Sequence, residues 1–283
     1  MTTMNISRQN IAGVCNLKCN LVFSYPTSNC TASNYGNSIN LTYENGSTPP
    51  VKYNNIDYNV QDVVIATPSR HLYNGEEVAG EVYINHVSTT GAPALVICIP
   101  IMEGSISNRM LEDIILQVST GAANAGENTV VKTDYNLTNI VPVKPFFNYN
   151  SSNTEWVVYG MSESIKLIST TITTLKGLVT PLGPIIDGSK LYVNTTGPNK
   201  SNNDGQIYID CQPTGSSEET TTVEDDKSAT ADVSFSLNDI LTNPIFVYLL
   251  GGIIFFAIIL GFKAILGAAT GTFKMPSFKG KPN

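Results

Sequence analysis

Histidine is the scarcest chemistry in this 283-residue chain: His71 and His86 are the only two, and Trp156 is the single tryptophan. A metal centre built on imidazole can therefore draw at most two such ligands from one chain. No Gly-x-Ser-x-Gly elbow, no phosphate-binding loop and no Cys–His pair of recognisable spacing is present, which removes the common hydrolase and nucleotide-binding designs. Charge is sparse, at 14% of residues. Up to Pro244 the chain carries 12 Lys and Arg against 23 Asp and Glu, a net −11, so the main body is a poor partner for nucleic acid or for strongly anionic glycans. The amino terminus has no hydrophobic leader either: Met1–Asn10 is polar and the next apolar run is interrupted by Cys, Asn and Lys. That predicts a chain inserted by its carboxy-terminal part, with the large domain left on the cytosolic side.

Valine, isoleucine, threonine, tyrosine and asparagine are plentiful, and short alternating runs are broken by Asn-Gly, Pro and Gly turns. This predicts a mainly β domain with few short helices. Residues 1–30 form a preface holding Cys15, Cys19 and Cys30. These three are candidates for a disulfide in an oxidising compartment and for reduced thiols elsewhere; a zinc site is the lesser alternative, with no histidine near. Residues 31–213 are the expected folded domain. Residues 214–238 contain the acidic group Glu218, Glu219, Glu224, Asp225 and Asp226 with almost no large apolar side chain, and read as a flexible stalk. The region 239–266 contains Pro244–Phe262, 19 residues without a charge and with no polar face. As a helix it would be roughly 28 Å long, enough to cross a bilayer. Residues 267–283 form a short basic tail, whose lysine excess would itself favour the cytoplasmic side.

Within the domain, Pro68–His86 holds both histidines and reads as a turn at Asn74-Gly75 feeding a strand over Glu81–Val87. Alternation puts Glu81, Tyr83 and Asn85 on one face, and Val82, Ile84 and His86 on the other. Strands are also expected at 38–43, 51–53, 56–60 and 155–159. Ala94–Gly104 is a continuous apolar run of strand length, expected to be buried on both faces. Asn108–Val118 repeats apolar residues at Met110, Leu111, Ile114, Ile115 and Val118, a helical period. A second short helix is expected through Leu175, capped by Ser169.

Pro68–His86 resembles the zinc strand of the α-type carbonic anhydrases, which reads roughly Ser-Glu-His, a short turn, then Glu-Leu-His-Leu-Val-His. The apolar run with its following helix, the 139–159 block, the 164–178 block and a closing strand near 206–213 resemble the family in the same order. The resemblance implies a central twisted β-sheet and a site where three neutral imidazoles hold a zinc hydroxide. Aligned this way, the two ligands of the first strand fall on Val63 and Ile65, and the third falls on Tyr83. Arg70 replaces the acid of Ser-Glu-His, and Asn150–Glu155 shortens the threonine-bearing loop that orients the hydroxide. Glu81 matches a residue that holds a ligand histidine, His86 matches a structural histidine, and His71 is expected to be hydrogen-bonded framework. The resemblance thus implies a zinc-less pseudoenzyme with no cofactor.

A zinc-less domain of this kind on an acidic stalk and a carboxy-terminal span is similar in arrangement to a membrane protein of poxvirus particles and its relatives in other large DNA viruses. The expected function is a structural virion membrane protein, a minor capsid component linking the inner bilayer to the shell. Its expected partners are the lipid bilayer through 244–262 and capsid or other virion membrane proteins. The alternatives are attachment to a host-surface ligand, with a sulfated glycan disfavoured by the acidic body, and, more remotely, an active carbonic anhydrase.

Overall fold

Ala94–Glu103 is the apolar run around which the sheet is built. In the computed structural model, which describes residues 2–200, it is a ten-residue strand whose central side chains from Leu95 to Ile101 are all buried. The closing strand expected at 206–213, the stalk, the membrane span and the basic tail lie outside the described residues. Among the described residues no helix is long and apolar enough to cross a membrane.

Three long strands form the centre: β1 (Ile56–Ala66), β2 (Gly80–Ser88) and β3 (Ala94–Glu103), paired antiparallel in that order. Beyond β3 come β5 (Thr154–Val158), parallel to it, and then β4 (Phe146–Ser151), antiparallel to β5. Next lie Leu191–Asn194 and, at the edge, Ile11–Val14. On the other side of β1 come Ile39–Leu41, Thr31–Asn34 and Asn128–Val130. Among the described residues the mixed sheet has 13 strands. Its length follows from the β-branched and aromatic content, which packs well on a pleated surface.

One face of the sheet carries the larger core, with Val63, Ile65, Val82, Ile84, Ile97 and Ile99 packed against both helices. Helix α1 (Arg109–Gly121) buries Met110, Leu111, Ile114, Ile115 and Val118, the five positions of the expected stripe, and Asn108 caps it by accepting from the Leu111 N–H. Helix α2 (Ser169–Leu178) begins one residue earlier than a Ser169 cap would require. Ile168 holds the cap position with extended backbone, and Ser169 is the first helical residue and caps nothing. Both helices end over Asn34, which is fully buried and donates to the carbonyls of Ala122, Ala123 and Leu178. One amide thus satisfies carbonyls that neither helix can pair internally.

The opposite face carries a smaller core made of Met4, Ile6, Tyr73, Tyr83, Val96, Cys98, Tyr149, Val158 and Leu191. The first 30 residues are part of the fold. Asn5–Ile6 pairs parallel with Leu72–Tyr73, Ile11–Val14 with Leu191–Asn194, and Leu21–Phe23 antiparallel with Val51–Tyr53. Cys15 and Cys19 form a disulfide, while Cys30 and Cys98 are buried free thiols, so Cys30 is outside the bridge.

Candidate functional site

The turn at Asn74-Gly75 has both central residues in the left-handed region, φ 52° and 92°. Asn and Gly tolerate that region, and a tight hairpin turn of this kind requires it. The turn folds Arg70–Tyr73 back over the start of β2, where Glu81 waits. Glu81 is fully buried and receives five donors. His71 Nδ1–H and the Tyr73 hydroxyl, each at 2.7 Å, donate to Oε1. The Tyr83 hydroxyl, the Arg70 N–H at 3.0 Å and the His71 N–H at 3.3 Å donate to Oε2. His71 then uses its other ring nitrogen, Nε2, with the Tyr149 hydroxyl at 2.7 Å. The Trp156 ring stacks on Tyr149 at a centroid distance of 5.6 Å and closes the shell.

Burial alone would raise the Glu81 carboxyl. The positive end of His71 and the hydrogen bonds from His71, Tyr73 and Tyr83 outweigh it and bring the pKa down to about 2. The phenols around it move the other way. Burial first, and then the Glu81 charge, push Tyr73 and Tyr83 well above the usual phenol range, so both stay protonated donors. The Cys98 thiol is raised by the same two causes in the same order. Around Tyr83, the Arg70 guanidinium carbon lies 5.9 Å from the ring centroid, and Arg70 Nε donates to the Gly183 carbonyl.

His86 is on the other face. Its Nε2 faces the Tyr25 hydroxyl at 3.0 Å and its Nδ1 faces the Leu95 carbonyl at 3.2 Å. Burial lowers its pKa to about 4, against the opposing hydrogen bonds of Leu95 and Ile84, so the ring is neutral at physiological pH. The two histidines therefore sit on opposite sides of the sheet and share no ligand position.

The pairing of β1 with β2 shifts the expected alignment by one residue. Val64 lies opposite Tyr83, while Val63 lies opposite Ile84 and Ile65 opposite Val82. Val63 and Ile65 point into the larger core, away from Tyr83, and the β1 residues on the Tyr83 face are Val64 and Ala66. The register of β1 on β2 shifts between Val60 and Asp62, and that shift sets which side chains of the rest of β1 share the Tyr83 face. The loop at Asn150–Glu155 is a tight hairpin turn joining β4 to β5, with Ser152 and Asn153 at positive φ of 50° and 59°.

Among solved structures the chain is similar to the α-carbonic anhydrase of Photobacterium profundum, with TM-score 0.54 and 16% identity over 68% of this chain and 88% of that one. The fold is that of the α-carbonic anhydrases. It is also similar to a hyperthermostable carbonic anhydrase identified from an active hydrothermal vent chimney, with TM-score 0.56 and 20% identity, covering 69% of this chain and 87% of that one. Dioscorin, solved as a complex with ascorbate, gives TM-score 0.58 at 14% identity, covering 71% and 87% of the two chains. No protein-family model and no curated protein sequence matches the chain. At these identities the likeness carries the fold and no residue roles.

The zinc that the resemblance in sequence implies would need donors, and the positions that face one another do not supply them. Val64 and Ala66 have no ligand atom, and the Tyr83 phenol is held protonated against Glu81. A different trio, His71, Glu81 and Cys98, brings one ligand atom each to within 4.8 Å of one another. Both ring nitrogens of His71 and both oxygens of Glu81 are already hydrogen-bonded, and the thiol is held neutral. A cation there would have to displace protons and break a satisfied buried network, so the donors do not fit a resident metal.

Tyr149, Tyr73, Cys98 and Trp156 were not among the residues singled out from sequence. Tyr73 carried a local signal, since it is two residues from His71 and shares its strand-like face. Tyr149 carried none, being 78 residues away in sequence.

Proposed function

We propose that this chain is a non-catalytic carbonic-anhydrase-fold module, anchored in a lipid membrane by residues 244–262 and serving as a structural protein of a large DNA virus particle. In that reading it is a minor capsid component joining the inner membrane to the shell. The observation that carries the non-catalytic part is the filled face around Tyr83. Hydration at zinc needs three ligands and an open fourth position reached by water and substrate. Here Tyr83 is 3% exposed, and Met4, Ile6, Leu182 and Ile185 pack into the core that covers it. The cover is tied down by backbone hydrogen bonds from the Met4 N–H to the Ile185 carbonyl and from the Ile185 N–H to the Arg70 carbonyl, at 2.9 and 3.0 Å.

The membrane part is supported by the uncharged run Pro244–Phe262, and the particle role by the order of domain, acidic stalk, apolar run and basic tail. Two measurements test the reading. Full-length protein dialysed against zinc should retain no stoichiometric metal and show no carbon dioxide hydration above buffer; stoichiometric zinc with turnover refutes the pseudoenzyme. The full chain should need detergent for extraction while a chain ended at residue 243 stays in the aqueous fraction. Aqueous behaviour of both refutes the anchor. A particle density map that places the domain outside the shell, exposed to solvent, would replace the linking role by attachment.

A further inference from the structure

A cavity of about 560 Å³ lies over the last three strands of the described sheet. Its floor is apolar: Phe147 of β4, Val193 of the next strand and Ile11 of the edge strand, with Met161 beside them. Neighbouring strands are about 4.8 Å apart, so the floor is about 10 Å from Ile11 across to Phe147. A cavity of this size with an apolar floor and a few polar groups suits a small molecule.

Two turns supply its polar groups, and they differ in kind. Ser7, Arg8 and Gln9 lead into the edge strand Ile11–Val14, and all three line the cavity. Ser7 is 7% exposed and accepts from the Gln9 N–H, but its own hydroxyl proton has no acceptor among the described residues. The Arg8 guanidinium and the Gln9 side-chain amide have no partner among them either. This wall presents unused donors. The second turn, Met161–Glu163, follows β5 and brings Glu163, the only acid among the lining residues. Its carboxylate accepts no hydrogen bond and forms no ion pair among the described residues. Lys166 borders a smaller adjoining cavity that Glu163 also touches, and no ion pair joins the two. Arg8 and Glu163 thus share one apolar cavity without pairing with each other. A ligand with one charge would cover one of them and leave the other unmatched beside apolar surface. A zwitterion with an apolar middle matches both. The width of the floor sets its length: a single α-amino acid holds its charges too close together, whereas two or three residues span about 7–10 Å.

We propose that this cavity binds a free apolar peptide of two or three residues by both of its charged ends. The terminal carboxylate lies against the Arg8 guanidinium and takes the Ser7 hydroxyl proton, the terminal ammonium lies against Glu163, and the apolar side chains cover Phe147, Val193 and Ile11. This does not depend on the pseudoenzyme, membrane or virion reading, because neither zinc content nor membrane extraction bears on it.

The test is calorimetric titration of full-length protein, held in an uncharged maltoside detergent, with the tripeptide Ala-Phe-Leu. Saturable binding of one peptide per chain is expected. Acetylating the amino end or amidating the carboxyl end should each weaken it about threefold to tenfold, the range for one partly exposed charge pair. Triglycine keeps both charges and loses the apolar side chains, so it should bind more than about tenfold more weakly. Arg8→Gln should weaken the free peptide by the same factor as amidation and leave the amidated peptide unchanged. Glu163→Gln should do the same for acetylation and leave the acetylated peptide unchanged. A variant that merely disturbed the fold would weaken all forms alike, so this crossed pattern separates contact from structure. Absence of saturable binding, blocked peptides that bind as tightly as the free one, or triglycine binding as tightly as Ala-Phe-Leu overturns the proposal. So does a variant that lowers the affinity of all three forms by the same factor.

Discussion

Replacing Glu81 with glutamine tests whether this carboxylate organises the smaller core. The side chains are nearly isosteric, so packing is conserved and only the acceptor set changes. Glu81 accepts from five donors with its two oxygens. Glutamine keeps one carbonyl oxygen and turns an NH2 group toward whichever donors faced the other. On the Oε1 side that orphans His71 Nδ1–H and the Tyr73 hydroxyl; on the Oε2 side it orphans the Tyr83 hydroxyl and two backbone N–H groups. A buried unsatisfied donor costs about 1–3 kcal/mol, and more where a charge was its partner, so the loss should be about 3–5 kcal/mol. For a domain of this size each kcal/mol moves the midpoint by about 2–4 °C, which gives a drop of about 6–20 °C. Thermal unfolding followed by circular dichroism reads this directly, with Trp156 fluorescence reporting the same region because its ring stacks on Tyr149. A midpoint within about 3 °C of the parent would refute the idea that Glu81 is the hub.

Acid should destabilise the domain in two overlapping windows. The His86 pKa is depressed in the fold to about 4, so the unfolded chain takes up its proton first and stability falls as pH drops from about 6.5 toward 4. Glu81 is depressed to about 2, so its contribution is present above the unfolded value and is lost as pH falls from about 4.5 toward 2. Urea midpoints measured from pH 7 to 3 should decrease throughout, and His86→Gln should flatten the upper part of the curve. Asn34→Ala should cost about 2–4 kcal/mol, because it strands carbonyls at the ends of both helices, and hydrogen exchange should accelerate in the last turns of α1 and α2 together. Reducing the Cys15–Cys19 bridge closes only a short loop and should cost at most about 2 kcal/mol, readable as a small shift in urea midpoint with dithiothreitol. Val63→His and Val64→His should differ sharply. The first puts a polar ring into the larger core and should cost about 3–4 kcal/mol, while the second replaces a partly buried side chain at the margin of the smaller core and should cost less, about 1–2 kcal/mol. Equal costs would mean that the strand register is other than described.

Where sequence reading succeeded, the signal was local and repeated. The apolar stripe of α1 and the unbroken run of β3 each hold one period over ten residues or more, and their burial follows from that period alone. The alternation of Glu81, Tyr83 and Val82, Ile84 survived for the same reason. The placing of Val63 and Ile65 came from the resemblance rather than from a period, and the pairing puts Val64, not Val63, opposite Tyr83. Ser169 failed as a cap on a similarly fine scale, one residue of phase at a helix start. The Tyr149–His71 contact and the arm Met4–Ile6 across Leu72–Tyr73 join residues far apart in the chain, and no periodicity encodes such pairs.

The strand Leu191–Asn194 also decides how the domain bears load. It lies inside the sheet, antiparallel to β4 on one side and parallel to Ile11–Val14 on the other. At its end the Asn194 side chain donates to the Cys19 carbonyl, and just beyond it the Asn199 N–H donates to the Leu21 carbonyl while its side-chain oxygen accepts from the Phe23 N–H. Traction applied through residue 200 therefore cannot peel the outermost strand one bond at a time. It must slide an interior strand past two neighbours and shear both ladders at once, with Asn194 and Asn199 as bolts. Resistance of this kind is set by the unfolding barrier rather than by equilibrium stability. Residue 200 is thus reached through a strand held on both sides, and the amino-terminal strand, by lying outside it, acts as the latch.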